Sequence, residues 1–128
     1  EAPADTTANG NNAETAGTTA EGSLVGNGLR LLATPITIPN TPTLEWKSGQ
    51  SLTISTWIKP AALQDNAVIL SRADGSASFR LLLNQGMPIV QLGTARSQPA
   101  APVATGTWSH LAVVADGKTL KIFLNGDL

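Results

Sequence analysis

A chain of 128 residues is one domain's worth of polypeptide, enough to bury about two-thirds of its unfolded surface. With 8 Lys and Arg against 9 Asp and Glu, its net charge is -1, so nothing draws it to phosphate backbones or anionic lipid, and nucleic acid is not an expected partner. It has no cysteine, which excludes disulfides, thiol nucleophiles and cysteine-based zinc sites. No apolar run approaches the roughly 20 residues of a membrane span, and the N-terminus lacks the basic, apolar, small-residue order of a signal peptide.

Residues 1–22 are rich in Ala, Thr, Asn and Gly and hold no large apolar side chain. Such a segment buries too little to offset its ordering entropy unless it lies against something else, so it reads as a polar low-complexity linker or surface loop. From Leu24 the character changes. Residues 24–32 and 36–38 read as two short strands, interrupted at Pro35 and ended by Pro39 and Pro42. Residues 51–59 alternate, with Leu52, Ile54, Thr56 and Ile58 on one face and Trp57 on the other. Pro60 ends that strand. Residues 61–66 form at most one turn of helix, and 67–72 form a short strand. Residues 79–83 and 87–92 form a hairpin across Asn84-Gln85-Gly86, and 93–106 read as a long loop. The strongest local signal comes last. Residues 108–115 and 119–124 flank Asp116-Gly117, and Asn125-Gly126 follows; both dipeptides tolerate the positive φ angles of tight hairpin turns. Short strands with regularly spaced turns predict an all-β antiparallel sandwich or barrel.

Leu52-Thr53-Ile54-Ser55-Thr56-Trp57-Ile58-Lys59-Pro60 resembles a strand of laminin G-like, concanavalin A-like lectin/glucanase domains. Trp108-Ser109-His110-Leu111-Ala112-Val113 with Asp116-Gly117 and Leu124-Asn125-Gly126 resembles the later hairpin of the same family. Asp5-Thr6-Thr7-Ala8-Asn9-Gly10-Asn11-Asn12 and Leu24-Val25-Gly26-Asn27-Gly28-Leu29 are similar to its N-terminal segments. The resemblance implies a two-sheet antiparallel jelly-roll sandwich over residues 23–128, in an exported, periplasmic or cell-surface setting. It also implies terminal strands outside this chain, which then reads as a piece of a larger bacterial exported protein. Gly10-Asn11-Asn12-Ala13-Glu14 is similar to a tract of exported proteins fused to biopolymer-transport channels. Strands left unpaired at such ends would expose edges that recruit a second copy, so a homodimer is an expectation.

Catalytic constellations are absent from the pattern. Glycosidases need two carboxylates roughly 5–10 Å apart, whereas Glu1, Glu14, Glu21 and Glu45 precede the core strands and Asp65, Asp74, Asp116 and Asp127 sit in turns. His110 is the single histidine, and Ser109 beside it points to the opposite strand face. The expectation is therefore a non-enzymatic module that binds a glycan or an envelope protein; a spacer without a ligand and a degenerate glycoside hydrolase are the alternatives. Candidate ligand-binding residues are Trp57, whose indole could stack on a sugar or be covered by the 93–106 loop, together with His110, Trp46 and Arg72. Trp108 reads as a packing anchor. No cofactor is expected; Asp65, Asp74 and Asp116 are weak calcium candidates on loops that could converge.

Overall fold

The computed structural model describes residues 2–14, 18–19, 22–47, 49–73, 78–99 and 101–128. Chain contacts divide into two compact units, Glu1–Glu45 and Trp46–Leu128.

In the first unit, β1 (Thr18–Thr19) and β2 (Leu29–Arg30) form a two-residue antiparallel ribbon. The strands expected over 24–32 and 36–38 reduce to that ribbon and to irregular chain. Local chemistry explains the correction. Gly26 takes φ +65, the Ser23 hydroxyl bonds both the N–H and the C=O of Val25, and Pro35 and Pro39 withdraw the donors a ladder needs. The leucines at 24, 29, 31 and 32 stay exposed. The polar tract ahead of them is held by side chains. Asp5 accepts the hydroxyl and N–H of Thr7 and the N–H of Asn11, and these bonds, Thr7 foremost, hold its carboxyl below the usual carboxylate range. The Asn11 side-chain carbonyl accepts the hydroxyls of Thr41 and Thr43. Pro42–Leu44 is a 3-10 turn with proline at its start, where a missing N–H costs nothing.

The second unit holds β3 (Leu52–Ile58), β4 (Ala67–Arg72), β5 (Phe79–Asn84), β6 (Met87–Leu92), β7 (Ala95–Ser97), β8 (Ser109–Ala115) and β9 (Leu120–Leu124). They build two antiparallel sheets, β3-β8-β9 and β4-β5-β6-β7. Every strand expected from residue 51 onward is present to within two residues at each end. The chain is all-β, as its alternation predicts, and its core is supplied from both sheets. Leu111, Val113 and Ile122 of the three-stranded sheet cluster with Phe79, Leu81, Leu83 and Val90 of the four-stranded one, while Leu52, Ile54 and Ile58 pack against that cluster. This is the packing of a sandwich.

Residues 61–66 hold bends and a turn without helix, within the single helical turn allowed for them. One expectation changes here. The 93–106 stretch is not one long loop: Gly93 takes φ +58, and β7 folds back on β6 through Leu92↔Ala95 and Val90↔Ser97. Val103, farther along, enters the core, and its N–H donates to the Gly86 C=O at 2.9 Å.

The turns behave as their residues dictate. Gln85 and Gly86 take φ 49 and 81, and Asn125 and Gly126 take 53 and 93, the paired positive values of hairpin turns that match strand twist. In the β8–β9 turn, the Asp116 carboxylate accepts the N–H groups of Lys118 and Thr119 and the Thr119 hydroxyl. These bonds, the Thr119 N–H foremost, lower its pKa from the ordinary 3.8. A depressed folded-state pKa means the contribution to stability is complete above the unfolded value and is lost as pH falls through the lower folded value. The Asp116 side-chain signal in a carbon-detected NMR titration is thus expected to move at a pH below 3.8, and Asp116→Ala should flatten the acid limb of the stability curve. A midpoint at or above the ordinary value would remove the role assigned to these bonds.

Candidate functional site

Alternation along β3 and β8 turns one set of side chains into the core and the other out. The outward face of the three-stranded sheet is a grid fixed by register. Trp57 stands opposite His110; Ser55 stands opposite Ala112, itself opposite Phe123; Thr53 stands opposite Val114, itself opposite Lys121. Trp57 remains 51% exposed, so the covering by the 93–106 loop anticipated for it does not occur. Its ring centroid lies 5.0 Å from that of His110, at an interplanar angle of 51°, within the range of favourable aromatic pairs. On the other side, His110 Nε2 and Ser55 Oγ share a hydrogen bond of 2.8 Å. The backbone under His110 is pinned as well, because its N–H donates to the Asn125 side-chain carbonyl and its C=O accepts the Asn125 N–H. An indole, an imidazole and a hydroxyl thereby stand side by side on one face of the sheet.

That row bears two parts of a hydrolytic triad, a hydroxyl and an imidazole in contact. The sequence's neighbour pair is not the one that meets. Ser109 is buried, 4% exposed, on the inward face, and Ser55 is the histidine's partner. The third part, a carboxylate to orient the imidazole, is not among the outward residues of β3, β8 and β9. As the central strand, β8 also commits its backbone to ladders on both sides, which leaves little for an oxyanion hole.

Trp46 occupies a different place. Its indole N–H donates to the Gln50 C=O at 3.1 Å, and the Lys47 N–H donates to Gln50 Oε1 at 2.8 Å. This loop forms one wall of a cleft of about 530 Å³, whose other walls are the β6–β7 turn, Ser78 ahead of β5, and the β8–β9 turn with Lys118 and Thr119. Gly49 and Gly117 meet in the wall, where the backbones approach too closely for a side chain on Gly117. The sequence singled out Trp46 but offered no sign of this cleft, because its walls come from four separated segments.

The remaining candidates do not join either place. Arg72 ends β4, paired with Phe79 in the four-stranded sheet, and is not among the described residues lining the cleft. Asp65 is bonded by the Gln85 side chain beside the β5–β6 turn. Asp116 lies by the cleft at the other end of the sandwich, separated from it by the length of β5, about 17 Å at ~3.3 Å per residue. Those two carboxylates therefore do not converge, and Asp74 lies outside the described residues. Among the described residues, no group of three or more His, Asp or Glu is placed to hold a metal ion. Trp108, half-buried ahead of β8, has the Lys59 ammonium 6.0 Å from its ring centroid, a cation–π contact beside its packing role.

Comparison with known families decides the assignment. A laminin G model described as the concanavalin A-like lectin/glucanases superfamily matches residues 33–128. The chain belongs to this superfamily. No curated protein matches it. The matched span takes in all seven strands of the laminin G-like sandwich, and with them the Trp57 row and the Trp46 cleft.

Proposed function

We propose that this laminin G-like domain is a non-enzymatic binding module that takes a saccharide on the outward face of β3-β8-β9. Its setting is an exported or cell-envelope protein, as the sequence resemblance implies. The observation that carries the reading is the half-exposed Trp57 set in a row with His110 and Ser55. A sugar presents C–H groups on its ring faces and hydroxyls on its rim. An indole offers a flat apolar surface to the first, and an imidazole and a hydroxyl within a few ångströms offer donors and acceptors to the second. Because the imidazole and the hydroxyl already hold each other, binding through them forfeits little side-chain entropy.

Chemistry beyond binding lacks support in the same residues. Glycoside hydrolysis needs an acid and a nucleophile or base, both carboxylates, and the grid of Thr53, Ser55, Trp57, His110, Ala112, Val114, Lys121 and Phe123 contains neither. The Ser55–His110 pair serves to orient the imidazole as a hydrogen-bonding group.

A glycan array followed by calorimetry on the best neutral oligosaccharide tests the proposal. Trp57→Ala is expected to weaken binding at least ten-fold, corresponding to about 1.4 kcal/mol. His110→Ala and Ser55→Ala should each cost a few-fold, with unfolding midpoints close to the parent's. Silence across the array with capture of an envelope protein would transfer the role to protein recognition, and turnover of a glucan abolished by His110→Ala would overturn the non-enzymatic reading.

A further inference from the structure

The Trp46 cleft lies at the end of the sandwich rather than on its face, and its composition differs from that of the Trp57 row. Its volume of about 530 Å³ falls within the range of small-ligand pockets, about 300–1,000 Å³. Its lining joins an indole, the apolar side chains of Leu92, Ala95 and Leu120, and the polar groups of Gln50, Thr94 and Thr119. Among the described lining residues a single side chain is charged, Lys118. Asp116, next to Gly117 of the lining, has its carboxylate committed to its own turn by three donors.

We propose that this cleft is a second binding site, and that it takes a saccharide unit bearing a carboxylate. The inference deepens the saccharide-binding reading but rests on other residues. The charge complementarity comes from Lys118, a compact monovalent cation in a site whose described lining residues include no carboxylate. The ring requirement comes from Trp46. Its N–H is already satisfied by the Gln50 C=O, so the indole contributes apolar surface rather than a donor, the contact a sugar ring makes well. The Thr94 hydroxyl, the Gln50 amide NH2 and the Thr119 hydroxyl oxygen, whose proton goes to Asp116, match the sugar's remaining hydroxyls as donors and acceptors. The close approach of Gly49 and Gly117 sets the Trp46 side of the cleft directly against the turn that carries Lys118.

The test titrates the whole chain with a galacturonate tetramer and with its methyl ester, which keeps the shape and removes the charge. Binding is followed by calorimetry and by amide and indole NMR shifts. The free acid is expected to shift the Trp46 indole N–H and the amides of Lys118 and Thr119. Methyl esterification, Lys118→Gln and Trp46→Ala should each weaken binding at least ten-fold, whereas Trp57→Ala should change it less than two-fold. Lys118 is exposed, so Lys118→Gln remains informative even if Trp46→Ala disturbs folding. Raising the salt to about 1 M, where the screening length is about 3 Å, should weaken the acid and leave the ester unchanged. No saturable binding, equal binding of acid and ester, or shifts centred on Ser55, Trp57 and His110 would overturn the cleft site. If neutral glycans fail at the sheet face while the acid binds here, the sheet-face proposal falls and this one stands.

Discussion

Gly117→Ala is expected to lower the free energy of unfolding by about 2–5 kcal/mol, from two additive causes. Gly117 holds φ +84, a left-handed conformation that costs an L-residue with a side chain roughly 1–2 kcal/mol. A Cβ built there would also lie 2.4 Å from the carbonyl oxygen of Gly49 and 3.3 Å from its carbon. Both are backbone atoms, so relief requires moving the chain, an overpacking cost of about 1–3 kcal/mol. Gly126→Ala separates the two causes. Gly126 has φ +93, yet its Cβ would meet nothing within 4 Å, so that variant carries the conformational cost alone. Chemical denaturation of both variants gives the difference. Equal losses would show that the Gly49–Gly117 approach does not constrain the sandwich end. The proposed cleft should suffer alongside stability in Gly117→Ala, because Trp46 and Lys118 stand on the two segments forced apart.

Leu111→Ala is expected to cost about 3 kcal/mol, within the roughly 2–5 kcal/mol seen when a fully buried leucine leaves a cavity. Leu111 is 0% exposed at the centre of β8, between Thr56 of β3 and Leu124 of β9. It packs in the cluster shared by the two sheets, and strands hydrogen-bonded on both sides cannot collapse to fill the void. Val114→Ala on the same strand is the matched control. That residue is 36% exposed on the outward face, and its truncation should stay within about 0.5 kcal/mol. Against a total stability of about 5–15 kcal/mol, the first change is severe and the second minor. Comparable losses at the two positions would mean that the inward and outward faces of β8 have been misassigned, and the Trp57 row with them.

Much of this molecule follows from neighbouring residues alone. Period-two alternation over 52–58, turn dipeptides at Asp116-Gly117 and Asn125-Gly126, and Asn84-Gln85-Gly86 between two apolar runs are local signals with local causes. They were enough to anticipate the core strands, the inward face of Leu52, Ile54 and Ile58, and the superfamily. The two short strands expected over 24–32 and 36–38 reduce to Leu29–Arg30, because prolines and Gly26 deny the rest of that stretch a ladder. Local signals failed at Ala95–Ser97, a strand too short to carry a period.

Residue order alone thus established an all-β chain, its turns and the out-of-phase position of Trp57. The partners of those residues depended on the register of strands far apart in the chain. Ser55 meets His110 because Leu52 pairs with Ala115, and a one-residue slip would turn the whole outward row into the core. The cleft is likewise a product of assembly, since the segments around Trp46, Thr94 and Lys118 meet only once the two sheets have packed.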